Sequence, residues 1–195
     1  FTQDFDRTEV AAERKALLKN PADSHFMIEN AIPYLAYINQ QCALKKLPRE
    51  LALLPMVESG YNPFAYSKTG ASGLWQIMPQ TAIINGLNIS WWYDSRRDVL
   101  LSTHVALDYL RQLHQQYGNW YEALSAYNAG PSKVNAWIKQ QSIKDDNDYW
   151  NMQWPTSTRQ YVVKLIAIAS IIAHHKQYGF NLPALSIKPF FTTVS

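Results

Sequence analysis

The stretch from Thr156 to His175 constrains this chain most. On a helix, Tyr161, Leu165, Ile168 and Ile172 fall on one side, and Val162, Ile166 and Ala169 make the opposite flank apolar as well. A helix apolar over so much of its circumference belongs in the middle of a domain, with other elements packed around it. Its apolar run, Leu165 to Ala173, is about half of the roughly 20 residues needed to cross a bilayer. The spacing therefore predicts a core helix, the longest of the fold. A chain of 195 residues, 47% hydrophobic, can bury one such core but not two comfortable ones.

The surrounding sequence reads as further helices. Phe26, Ile28, Ile32, Leu35, Ile38 and Cys42 trace a helical face that Pro33 is expected to kink or divide. Pro48 can open a run to Ser59 that puts Leu51, Leu54 and Glu58 on one face. Gly60 to Ser72 reads as a loop or small hairpin, and Leu74 to Ile84 as a short helix. Asp98 is a good N-cap for a stripe of Val99, Thr103, Ala106, Leu110, Leu113 and Tyr117, which Gly118 ends. Asn119 can cap a helix carrying Trp120, Leu124 and Tyr127, broken by Gly130 and Pro131, and a short helix with Val134 and Trp137 follows. Lys144 to Asn151 reads as a loop, residues 1–24 as an arm or loosely attached helix, and the sequence after Gly179 as an extended tail. The expected fold class is mainly α, with at most a small β-hairpin region near residues 60–73.

Several chemistries are excluded. The net charge of +3 is not concentrated in a basic run, so nucleic acid is not an expected partner. A single cysteine, Cys42, rules out an intrachain disulfide, and its apolar setting predicts a buried structural thiol. There is no Gly-rich phosphate loop, no G-x-S-x-G elbow and no H-E-x-x-H helix. His174 and His175 are adjacent on a helix, about 100° apart, and share a metal poorly. No cofactor and no metal are expected.

Glu58 has two reasons for a raised pKa. It lies on the apolar face of its helix, and it lies near the helix C-terminus, where the macrodipole opposes a negative charge. A carboxylic acid kept protonated near neutral pH can protonate a glycosidic oxygen. Spacing alone favours the plainer alternative, a surface glutamate that ends a helix.

Four stretches carry a resemblance. Glu58-Ser59-Gly60-Tyr61-Asn62-Pro63, Ser67 and the run Gly70-Ala71-Ser72-Gly73-Leu74-Trp75-Gln76-Ile77-Met78-Pro79 look like the first two motifs of the soluble-type lytic transglycosylase (SLT) domain. Ala126-Tyr127-Asn128-Ala129-Gly130 resembles the third, and Thr158-Arg159-Gln160-Tyr161-Val162 the fourth. Their order and spacing follow the family from about Leu47 to Pro183. The stretch Trp91 to Asp98 is most similar to the membrane-bound D branch.

The resemblance implies an α+β lysozyme-like domain over residues 47–183, with a helical extension at 1–46 and a tail at 184–195. It implies a single-acid mechanism on peptidoglycan glycan strands. Glu58 protonates the oxygen between N-acetylmuramic acid and N-acetylglucosamine, then acts as base on the C6 hydroxyl of the muramyl sugar, giving a 1,6-anhydro end. The sugar's 2-acetamido oxygen replaces a second carboxylate. Ser67, Gln76, Met78, Tyr127, Asn128 and Tyr161 match cleft-lining positions, and the Tyr161 phenol can hydrogen-bond the acid. Tyr127 in line with Leu124 and Met78 remain open to a plain core role. Gly70, Gly73 and Gly130 read as backbone enablers. A monomer in the periplasm or cell envelope is implied, with room for a lipid anchor outside this sequence, as in outer-membrane-anchored members.

One position departs from the pattern: many members carry a glutamate where this chain has Ser157, which bears on subsite preference and not on the acid chemistry. A lysozyme-type hydrolase shares the fold and would leave a reducing end instead. A catalytically silent wall-binding module would also share it, but an intact Glu58 argues against that. A generic helical interaction domain leaves the four ordered motifs unexplained.

Overall fold

The computed structural model describes residues 1–141 and 149–179, with the backbone alone over 21–27. Among them are the α-helices α1 (Thr8–Leu18), α2 (Pro21–Leu44), α3 (Leu54–Ser59), α4 (Pro79–Ile84), α5 (Val99–Tyr117), α6 (Trp120–Ala129), α7 (Pro131–Gln141) and α8 (Thr156–Ala173). No β-strand is formed by the described residues. Isolated antiparallel bridges join Tyr66 to Ser72, Ser72 to Ile77 and Ile89 to Asp94. The mainly helical architecture with a hairpin-like region is as expected. The 144–148 part of the predicted acidic loop and the tail beyond Gly179 lie outside the described residues, as does the side chain of Phe26.

Helix α8 occupies the core. Eleven of its eighteen residues are buried, and it contacts α1, α3 and α6. It is not the longest helix: α2 spans 24 residues and α5 spans 19. Apolar circumference reports how central a helix is, not how long. Pro33 does not divide α2. The carbonyl it leaves without an i+4 donor belongs to Glu29, an exposed residue, while Ala31, Ile38 and Cys42 on the buried side hold the helix to the core.

The N-terminal residues are tied in more firmly than an arm. Phe5 and Val10 are buried. The Arg14 guanidinium donates to Ser170 Oγ at 2.7 Å, and Arg159 of α8 pairs with Glu9 at 2.7 Å. Polar composition hid this because α1 docks through one ion pair, an arginine–serine hydrogen bond and a few apolar contacts. Elsewhere the caps are those predicted. Asp98 accepts from the amides of Leu100 and Leu101, and Gly118 closes α5 in the left-handed region. Asn119 accepts from the Tyr121 amide at the start of α6.

Leu74 to Met78 is not helical, as the sequence pattern had suggested. The segment is held instead as a tight turn by reciprocal Ser72 and Ile77 backbone bonds at 3.2 Å, and helix begins only at Pro79, a favourable first-turn residue.

Candidate active site

Glu58 sits in the last turn of α3, which follows a 3-10 turn at Arg49–Leu53. Leu51, Leu54 and Met56 are buried beneath it. Gly60 adopts φ +59° and terminates the helix, a conformation a side chain would strain. Neighbours fix this helix end: Ser59 Oγ donates to the Leu74 carbonyl at 2.8 Å, and Asn30 Nδ2 donates to the Gly60 carbonyl at 3.2 Å. The helix end that carries Glu58 is thus held by α2 and by the turn before α4.

From α8, the Tyr161 hydroxyl donates to Glu58 Oε1 at 2.5 Å. Burial pushes the Glu58 carboxyl up to about 7, while the bond from Tyr161 pulls the other way. Burial likewise raises the Tyr161 phenol, with the Glu58 charge adding to it, so the phenol remains a donor. With its pKa raised toward neutrality, Glu58 is able to give a proton and then take one back.

Gln76, Met78, Tyr127 and Asn128 line one cavity of about 390 Å³, together with Tyr109 and Lys133. Glu58, Tyr161 and Ser67 are not among its lining residues. Tyr127 links the two groups: the charge of Glu58 acts on its phenol, and its hydroxyl donates to the Trp75 carbonyl at 2.8 Å. Met78 is 41% exposed, so the core alternative for it does not hold. Gln76 takes φ +47°, a strained position for a non-glycine residue. Its Nε2 donates to the carbonyls of Ala65 and Gly73, which aims the carboxamide. Ser67 stands apart. Its Oγ accepts from the Ala71 amide at 2.9 Å and bonds Thr69 at 3.0 Å, organising the turn that carries Thr69 to the cavity.

Two contributors had no signal strong enough to be singled out, and a third, Arg96, lay within the Trp91 to Asp98 stretch without an assigned role. Tyr109 places its ring 5.9 Å from that of Tyr127; its only hint was an i+4 relation to Val105 beside the main stripe of α5. Glu9 pairs with Arg159 across 150 positions, which no local pattern reveals. Arg96 is buried to 3% exposure. It grips Asp94 at 2.7 Å and the carbonyls of Gly70 at 2.6 Å and Ile77 at 3.0 Å, so it braces the wall that presents Gln76. Gly73 lies against it so closely that a Cβ there would come within 1.9 Å of the Arg96 carbonyl oxygen.

Cys42 is fully buried, as expected of a structural thiol. The His174 Nδ1 lies 3.1 Å from the Ser170 carbonyl, and the His175 Nδ1 3.1 Å from that of Ile172. No helix among the described residues is long and apolar enough to cross a membrane.

Comparison with known proteins gives this geometry a family. Residues 31–150 match the family described as the transglycosylase SLT domain. The chain is 36% identical over 176 residues to the membrane-bound lytic murein transglycosylase D of Escherichia coli, covering 89% of this chain and 39% of that protein. It is 34% identical over 149 residues to the E. coli soluble lytic murein transglycosylase, covering 72% of this chain and 22% of that protein. The crystal structure of the 70 kDa soluble lytic transglycosylase of E. coli superposes with a TM-score of 0.52 at 26% identity, over 65% of this chain and 22% of that one. This chain thus spans well under half the length of these relatives. With more than half of its residues matched, the chain belongs to the transglycosylase SLT domain family.

Proposed function

We propose that this domain is a peptidoglycan lytic transglycosylase whose catalytic acid is Glu58. The observation that carries the reading is the half-buried carboxyl, raised to about 7 and bonded to Tyr161 at 2.5 Å. The lytic murein transglycosylases among its relatives give the substrate class, peptidoglycan glycan strands.

In this reading the protonated Glu58 gives its proton to the glycosidic oxygen between N-acetylmuramic acid and N-acetylglucosamine as the C1–O bond breaks. The muramyl 2-acetamido oxygen bonds to C1 and shares the positive charge. The ionised Glu58 then takes the proton of the C6 hydroxyl, whose oxygen displaces the acetamido group from C1. A 1,6-anhydro ring results, Glu58 is protonated again, and no water is consumed. A pKa near 7 suits both halves of this cycle. Burial raises Glu58 and Tyr161 opposes it, and among the described residues no carboxylate contributes to the shift, in keeping with a single-acid mechanism.

Gln76, Tyr127 and Asn128 would orient the sugar's acetamido and hydroxyl groups, Met78 would pack on an apolar sugar face, and Tyr161 would hold Glu58. Ser67 would contribute through the turn that it organises. Residues 47–183 would form the catalytic unit, working in the periplasm or cell envelope, with 1–46 bracing it through Glu9.

The test is mass spectrometry of purified peptidoglycan digested with this chain and with Glu58→Gln. Anhydro-muropeptides are expected from the first and none from the folded variant. Hydrated reducing ends would favour a lysozyme-type hydrolase, and equal activity of the variant would remove Glu58 from its role.

A further inference from the structure

The Ser90–Tyr93 turn exposes two tryptophans that the catalytic reading does not use. Trp91 is 81% exposed and Trp92 79%, with Tyr93 half exposed beside them. Leaving two such rings in water forgoes the burial that large apolar side chains ordinarily gain. A flexible loop tip would fold them back, and this turn is pinned. The Ser90 amide donates to the Tyr93 carbonyl at 2.8 Å, and the Tyr93 amide donates to Ser90 Oγ at 3.0 Å. Below the turn, Ile89 bridges Asp94, and the Ser95 amide donates to the Asn88 carbonyl at 3.0 Å. The rings lean on each other with centroids 3.4 Å apart.

The surroundings of the rings are polar. Trp91, Trp92 and Tyr93 line a shallow cavity of about 470 Å³ with Asp94, Arg97 and Asp98 on its rim. Aromatic faces bordered by carboxylates and a guanidinium suit a saccharide, whose ring presents C–H groups to an aromatic plane and hydroxyls to its edges. Arg97 adds an exposed cation suited to the carboxylates of muramyl lactyl and peptide groups. With Asp94 paired to Arg96 and Asp98 balanced by Arg97, the rim carries no net positive charge to draw an anionic bilayer surface.

The turn is continuous with the cleft wall. Its next residues, Arg96 and Arg97, bond to Gly70 and Ile77 and to Ser72 Oγ, within the segment that presents Gln76 and Met78. A strand gripped here stands in fixed relation to the cleft.

We infer that Trp91, Trp92 and Tyr93 form a second saccharide-binding subsite, which grips the glycan strand outside the cavity lined by Gln76 and Tyr127. The inference rests on the reading of peptidoglycan as substrate. Pre-ordered rings lose little entropy on binding, so the subsite contributes affinity rather than chemistry.

The test is the affinity of the catalytically blocked Glu58→Gln chain for uncross-linked glycan strands of many disaccharides and for a single disaccharide-peptide, by calorimetry. Adding Trp91→Ala and Trp92→Ala is expected to weaken long-strand binding roughly three- to tenfold and to shrink the preference for long strands. Trp91→Tyr with Trp92→Tyr is expected to restore much of it. Both positions are exposed, so the variants should melt at the temperature of the parent. Unchanged long-strand affinity in the folded Ala variant would overturn the subsite, as would loss of binding to anionic lipid vesicles with glycan affinity intact. If the unsubstituted chain neither digests peptidoglycan nor binds its strands, the functional reading itself fails; if it digests peptidoglycan and the Ala variant still binds long strands fully, only the subsite fails.

Discussion

In α8, eleven of eighteen side chains are buried and the helix is held mostly by packing. In the segment from Gly60 to Asp98, only α4 is an α-helix, and shape depends on particular polar bonds: Arg96 to two carbonyls, Ser67 to Ala71, Gln76 to Ala65 and Gly73. The two regions meet where Tyr161 of α8 reaches Glu58, two residues before the start of the polar segment. Packing supplies the water-poor setting that raises the acid. The polar segment supplies the exposed, directional groups that a sugar needs. Burial tolerates such groups only when the protein already satisfies them, so groups left free for a sugar sit at the seam.

Substitutions can break this contrast. Leu165→Ala, at a fully buried position of α8, is expected to cost about 4 kcal/mol in denaturant unfolding, while the molecules that remain folded keep their rate of glycan cleavage. A comparable fall in rate per folded molecule would show that α8 does more than pack.

Glu58→Gln should act in the opposite direction on stability. The folded carboxyl titrates near 7 and the ordinary value is 4.5. The stabilising effect of its protonated form is therefore full below pH 4.5 and is lost as the pH rises through 7. The variant, which cannot ionise, should be more stable than the parent by about 3 kcal/mol at pH 8 and equal to it near pH 4. No stability difference at pH 8 would mean that the site is not dry.

Gly73→Ala probes the polar segment. Its φ of +80° and the close approach to the Arg96 carbonyl predict a loss of about 2 kcal/mol. Because Gln76 moves with that turn, cleavage should fall by more than the stability change explains. A rate unchanged in the folded fraction would separate Gln76 from the chemistry. The smallest effect expected is that of Tyr161→Phe, about 1 kcal/mol in stability from the lost hydrogen bond. The variant should also shift the alkaline limb of kcat/KM to higher pH, because the bond holds the Glu58 pKa down.

The same contrast explains what the sequence disclosed. Periodicity found α8, α5 and α6, and single capping residues such as Asp98, Gly118 and Asn119 marked their ends, because those elements are specified by neighbours along the chain. It misplaced the start of α4, since Leu74 to Met78 reads as apolar helix while its turn is set by Ser72 and Ile77 pairing and by Arg96 from 19 positions away. Pro33 misled because tertiary packing outweighs one missing bond. For the site, spacing placed Glu58 on an apolar face but could not exclude a surface role. The partner on α8 became legible only through motif resemblance, 103 residues away in sequence. Ser67 matched a motif position, yet its oxygen serves the turn, which a match of residue types cannot reveal.

The central claim is a single half-buried acid with a raised pKa at the seam, and its titration tests it most directly. Carbon-13 NMR of the glutamate side-chain carboxyls, with Glu58 assigned by its absence in Glu58→Gln, should show one group titrating near pH 7. Tyr161→Phe should move that titration upward. A Glu58 carboxyl that titrates at an ordinary value near 4.5, unmoved by the loss of the phenol, would contradict the account.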